Sequence, residues 1–148
     1  MNPQSNIDFR IIKFESESYF EELQLRDRVL RKPLGMSLFD ENLDLEINDC
    51  HIGAFSNNCL VGVLILTKLS NSEMKMRQVA VDDGKRGLSI GSQLVAFSED
   101  YCKKSNYSRI VLNARATALE FYKRLGYTII SDVFFEIGIP HYKLEKIL

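Results

Sequence analysis

Met74-Lys75-Met76-Arg77-Gln78-Val79-Ala80-Val81 runs directly into Asp82-Asp83-Gly84-Lys85-Arg86-Gly87-Leu88-Ser89-Ile90-Gly91, and then into an apolar-periodic stretch from Ser92 to Lys104. The first segment alternates, with Met74, Met76, Gln78 and Ala80 on one face and Lys75, Arg77, Val79 and Val81 on the other, which predicts a strand. The third predicts a helix that buries Leu94, Val95 and Phe97 or Tyr101. The loop between them sits where a helix begins, and there the first amides lack internal acceptors and the macrodipole favours an anion. Its glycines permit close backbone approach and Lys85 and Arg86 add charge, although a plain surface turn has the same composition. ATP hydrolysis is disfavoured, because Gly84-Lys85 is followed by Arg86 and not by the Ser or Thr of a Walker loop. A dinucleotide site is disfavoured as well, since the loop follows a meander and not the first strand of a parallel unit.

Working outward, Asp8 to Phe14 reads as a first strand, and Ser18-Tyr19-Phe20-Glu21 has a capping-box pattern that predicts the start of a helix. That helix carries Leu23, Val29 and Leu30 as core residues and Arg26, Arg28 and Arg31 as a solvated row, and it should stop before Pro33. Leu34 to Asn48 is irregular, with room for one short helix. Cys50 to Phe55 and Cys59 to Thr67 form a hairpin across Ser56-Asn57-Asn58. Arg109 to Leu112 is a strand, and Ala116 to Leu125 is a helix closed by Gly126. Tyr127 to Phe135 and Ile139 to Leu144 form a last hairpin through Gly138. The expected architecture is one α/β domain over residues 1–148, a mixed and mostly antiparallel sheet of about seven strands flanked by helices.

Composition narrows the function. The 148 residues are 45% hydrophobic and 26% charged, the make-up of a globular domain. Lys plus Arg number 19 against 20 Asp plus Glu, so nucleic acid is not the expected partner and any anion must be caught locally. Leu60 to Leu66 is the longest apolar run and is too short to cross a bilayer; with no signal-like N-terminus, no membrane partner and a cytoplasmic location are expected. Cys50, Cys59 and Cys102 match neither a disulfide framework nor a zinc site, and no metal is expected. Cys50 and His51 are adjacent, yet neighbours on a strand point to opposite faces, which argues against a nucleophile–base pair.

Met76-Arg77-Gln78-Val79-Ala80-Val81, Arg86-Gly87-Leu88-Ser89-Ile90-Gly91, Leu112-Asn113-Ala114 and Ala118 to Tyr127 together resemble the GNAT superfamily of acyl-CoA-dependent N-acetyltransferases. Leu25 to Gly35 and Gly138-Ile139-Pro140-His141 look like a bacterial branch of it. The resemblance implies acetyl-CoA as co-substrate. The amides of Arg86, Gly87, Leu88, Ser89, Ile90, Gly91 and Ser92 would hold its pyrophosphate, and the backbone of Val79, Ala80 and Val81 would pair with the pantetheine arm. In the same picture the Val81 amide polarises the thioester carbonyl, a role that can contribute about 3 kcal/mol. Asn113 either contacts the CoA arm or caps the next helix, and Phe121 reads as core.

Tyr122 resembles the family's tyrosine at the departing thiolate. A phenol near ~10 is a weaker acid than a thiol near ~8.5, so full transfer is uphill by roughly 2 kcal/mol and Tyr122 should act by donating a hydrogen bond. Ser89 stands where the family has a middle glycine. Either it pays roughly 1–2 kcal/mol for a left-handed backbone, or its hydroxyl donates to a phosphate. An alkylamine near ~10.4 needs about 4.6 kcal/mol to deprotonate at pH 7, so a base is required. Glu136, His141 and Glu73 are the candidates; Glu136 also suits an exposed carboxylate and His141 a hydrogen-bonded strand histidine.

The function expected is acetyl transfer from acetyl-CoA to a primary amine of a small molecule, by direct attack in a ternary complex. A CoA-binding module with weak or no catalysis, or acetylation of a protein amine, is the alternative. Family likeness suggests a homodimer.

Overall fold

Asn57 and Asn58 both take positive φ, 51° and 65°, the geometry of a tight turn that matches strand twist, and they join β2 (Cys50–Ser56) to β3 (Cys59–Lys68). In the computed structural model, which describes residues 7–85 and 89–148, this hairpin lies within an eight-stranded sheet. β1 (Ile7–Ile12) flanks β2, and β4 (Glu73–Val81) flanks β3, all antiparallel. After α2 (Ile90–Lys104) the chain returns as β5 (Arg109–Arg115), parallel to β4. α3 (Leu119–Arg124) leads to β6 (Thr128–Ile129), β7 (Phe134–Glu136) and β8 (Ile139–Ile147), with β8 antiparallel to β5 and both short strands paired to β8.

Two apolar clusters form on the sheet. One gathers Met74, Met76, Ile110 and Leu112 with Ile90, Leu94 and Val95 of α2. The other gathers Ile12, Phe55, Val63 and Ala80 with Tyr19, Leu23 and Leu25 of α1 (Glu17–Arg26).

Several local expectations are corrected. Ser16, not Ser18, caps α1: its Oγ accepts from the Tyr19 amide at 3.2 Å. The helical path passes through Pro33, first as a π turn (Asp27–Arg31) and then as a 3-10 turn (Lys32–Leu34) that places the proline where its missing N–H costs little. The arginine row is not solvated, for Arg26 and Arg31 are buried against carboxylates and only Arg28 is exposed.

The alternation read along β4 breaks at Gln78. Its φ of 56° makes a bulge, and the β3 partners shift so that Val63 faces Ala80 while Ile65 faces Arg77. Val79 and Val81 therefore pack on the α2 side with Met74 and Met76, whereas Ala80 crosses to the α1 side. The strand expected over Tyr127 to Phe135 is two strands, and Ile137 and Gly138, with φ of 53° and 69°, make the turn into β8.

Candidate active site at the splayed strands

β4 and β5 pair over four positions, from Glu73↔Arg109 to Met76↔Leu112, and then part. The closed end is clasped by Arg109, which reaches Glu73 on one side and Glu145 of β8, at 2.6 Å, on the other. The open end is a cleft of about 1030 Å³. One wall is Gln78 to Val81, of which Ala80 and Val81 pair with Val63 and Gly62 of β3 on the far side, and the stretch has no strand partner toward β5. Across it stand Leu112 to Arg115, and the N-terminus of α2, Ser89 to Ser92, forms its end with Lys85 beside it. Free helix amides and a cation thus share the cleft with an unpaired strand edge.

Ser89 adopts the left-handed conformation (φ 62°, ψ 17°), so the first of the two readings of this residue holds for its backbone, and its hydroxyl makes no capping hydrogen bond. Gly91 is constrained: a Cβ there would lie 3.3 Å from the Phe121 ring. Arg86, Gly87 and Leu88 lie outside the described residues.

Val79, Ala80, Val81, Ser89, Ile90, Gly91, Ser92, Asn113, Tyr122, Glu136 and His141 all line this one cleft. Tyr122 is the more buried of its aromatic pair, with an edge-on ring contact to Tyr127, and burial pushes its phenol pKa well above the ordinary value. Phe121, read as core, packs against the α2-side apolar cluster and also lines the cleft, where it abuts Gly91. Asn113 caps no helix. Its Nδ2 donates to Glu136 Oε2 at 3.1 Å.

His141 packs against Phe134, and its Nδ1 donates to the Ile139 carbonyl at 2.8 Å, which leaves Nε2 as the nitrogen with a free lone pair. Glu73 does not line the cleft, being held by Arg109 at the closed end. Val29, Leu30 and Arg31 of the π turn close the cleft on the α1 side, with Gln78, Lys75 and Arg115 nearby. Sequence reasoning missed these. The arginine row and the proline at position 33 were the available signals.

None of the three cysteines lines the cleft, and among the described residues no cluster of His, Cys, Asp and Glu could hold a metal. No helix among them is long and apolar enough to cross a membrane.

An α/β domain whose central strands part beside a helix N-terminus presents an open strand edge next to free amides. The family model described as "Acetyltransferase (GNAT) domain" matches residues 17–148, so the chain belongs to the GNAT acetyltransferase family and is an acyltransferase. It is 25% identical over 137 residues to YjcF of Bacillus subtilis, named an uncharacterized N-acetyltransferase, covering 92% of this chain and 97% of that one. The crystal structure of Escherichia coli ElaA matches with a TM-score of 0.80 and 24% identity over 95% of this chain and 99% of that one. A GNAT family acetyltransferase from Elizabethkingia anophelis, solved with acetyl-CoA bound, matches with a TM-score of 0.72 and 19% identity over 97% and 99% of the two chains.

Proposed function

We propose that this protein transfers the acetyl group of acetyl-CoA to a primary amine of a small molecule by direct attack in a ternary complex. The observation that carries the reading is the parting of β4 from β5 beside the N-terminus of α2, with Tyr122 and His141 in the same opening. The open edge of Val79 to Val81 suits a pantetheine arm added as a strand, and the Val81 amide suits the thioester oxygen. Arg86 to Ser92 hold the pyrophosphate. Tyr122, its phenol pKa raised by burial, donates a hydrogen bond to the departing sulfur and keeps its proton.

His141 Nε2 takes the proton of the attacking amine, because Nδ1 is already committed to Ile139. Glu136, held by Asn113, draws in the ammonium form of the acceptor. Lys75 and Arg115 line the same cleft and make no side-chain hydrogen bond or ion pair among the described residues, which favours an acceptor carrying a carboxylate or phosphate beside its amine. The domain takes in residues 1–148, acts in the cytoplasm and pairs as a homodimer, for which exposed Phe135 and Ile137 of the last hairpin supply apolar surface.

Thiol release from acetyl-CoA with a panel of amines, each offered as the free acid and as its methyl ester, tests the reading. Release with the acids and weak release with the esters is expected. Tight CoA binding with no release for any amine would instead favour a CoA-binding module, the reading that the strained Ser89 backbone supports. Release only with a peptide or protein amine would move the acceptor class.

A further inference from the structure

Away from the cleft, Glu22, Arg26, His51 and Glu46 are 0%, 1%, 1% and 6% exposed, an ionic cluster sunk between α1, β2 and the segment before β2. Arg26 Nη1 donates to Glu22 at 3.0 Å and to Glu46 at 2.9 Å, and its Nη2 donates to the other Glu46 oxygen at 3.0 Å. His51 donates from both ring nitrogens, Nδ1 to the Glu22 carboxylate at 2.8 Å and Nε2 to the Glu46 carbonyl at 3.0 Å. Burial opposes the imidazolium, but the hydrogen bond and charge of Glu22 carry its pKa above the ordinary value.

The hydrogen bonds to the two carboxylates use Nη1 and Nη2 of Arg26, with His51 and Arg77 adding charge at Glu22 and Glu46. The Nε–H of Arg26 is left for something else, and it goes to Gln78 Oε1 at 3.3 Å. Gln78 is the residue with φ of 56° that bulges β4, and it lies directly before Val79 to Val81. A glutamine held left-handed persists only where its surroundings over-determine it, and glycine would take this backbone without strain. Arg26 is also the last residue of α1, and the π turn that follows it carries Val29 to Arg31 to the cleft. Arg26 therefore reaches the start of one cleft wall through its guanidinium and adjoins the kink of the other along its main chain. Buried ion pairs add little net stability over apolar replacements, whereas their directionality holds geometry.

We propose that Arg26 is a positioning residue for acetyl transfer: through Gln78 it holds the β4 bulge, and so the backbone of Val79 to Val81, in register with the π turn across the cleft. This rests on the acetyltransferase reading for its effect on turnover, though not for its effect on the strand. Removing Arg26 would take the shared cation from two buried carboxylates and endanger folding, so the test uses Gln78→Gly, which accepts the positive φ but offers Arg26 nothing, and Gln78→Glu, which keeps an oxygen for Nε.

Gln78→Gly is expected to unfold at the same or a higher urea concentration than the wild type, while amide exchange at Val79 to Val81 rises about tenfold and that of β2 does not change. With acetyl-CoA and an accepted amine, kcat should fall about tenfold with KM for acetyl-CoA within threefold, and Gln78→Glu should restore both readouts to within twofold. Unchanged exchange at Val79 to Val81 together with unchanged kcat in Gln78→Gly would overturn the proposal. If the wild type releases no thiol with any amine, the exchange rates decide alone: a local rise upholds the positioning role while the catalytic reading falls, and no rise sinks both.

Discussion

On its α2 side, β4 presents Met74, Met76, Val79 and Val81 to Ile90, Leu94 and Val95; on its α1 side, near the same bulge, Arg77 and Gln78 meet Arg26, Glu46 and Asp49. The first contact is held by burial of apolar area, which has no direction and tolerates small shifts. The second is held by hydrogen bonds from ionised guanidinium groups to carboxylates and to the Gln78 amide, which do have direction and fail when one member is lost. The strand that borders the cleft is thus cushioned from one side and located from the other.

The largest effect should come from unbalancing the located side. Glu22→Ala leaves Arg26 and His51 buried without their shared carboxylate, and a loss of about 3–5 kcal/mol in urea denaturation is expected. On the cushioned side Leu94→Ala should cost about 2–4 kcal/mol in the same measurement, and a loss as large as that of Glu22→Ala would erase the distinction. A smaller effect follows from pH. Because His51 has a raised pKa in the folded protein, its contribution is present in full below about 6.5 and is lost as pH rises through the raised value. The urea midpoint should therefore fall over that window, and the fall should be absent in His51→Gln; Glu22 and Glu46 are the charged groups that act on the ring, and the neutral Tyr19 packs edge-on against it. Ser89→Gly should show the smallest change: relief of roughly 1–2 kcal/mol of backbone strain, less the extra chain entropy of glycine, leaves a gain of about 0.5–1 kcal/mol, read as a higher urea midpoint.

The cushioned side was legible in the chain. Leu94 and Val95 follow helical spacing, Met74 and Met76 follow strand spacing, and a glycine-rich basic loop between them marks a helix N-terminus without any tertiary knowledge. The same loop and the Asn113 to Tyr127 motifs led to the family and to cleft residues in advance of the fold. The located side was not legible. Arg26 lies 20 positions from Glu46 and 52 from Gln78, so no local pattern joins it to either. The bulge was hidden because Gln78, Val79 and Ala80 satisfy an alternating pattern in either phase, and only a residue's φ distinguishes them. Phe121 and Tyr122 illustrate the same limit, since both line the cleft and adjacent aromatics on a short helix carry no pattern that says so.

The clasp at the closed end of the strands has a mechanical meaning. β4 and β5 act as two arms on a common base, and Arg109, gripping Glu73 and Glu145 together, is the stop beyond which they cannot part. Arms splayed from such a stop convert a small give at the base into a larger displacement at the tips, where Val81 and Arg115 face the opening. Glu73, which lies outside the cleft, thereby sets the leverage with which the cleft resists being spread.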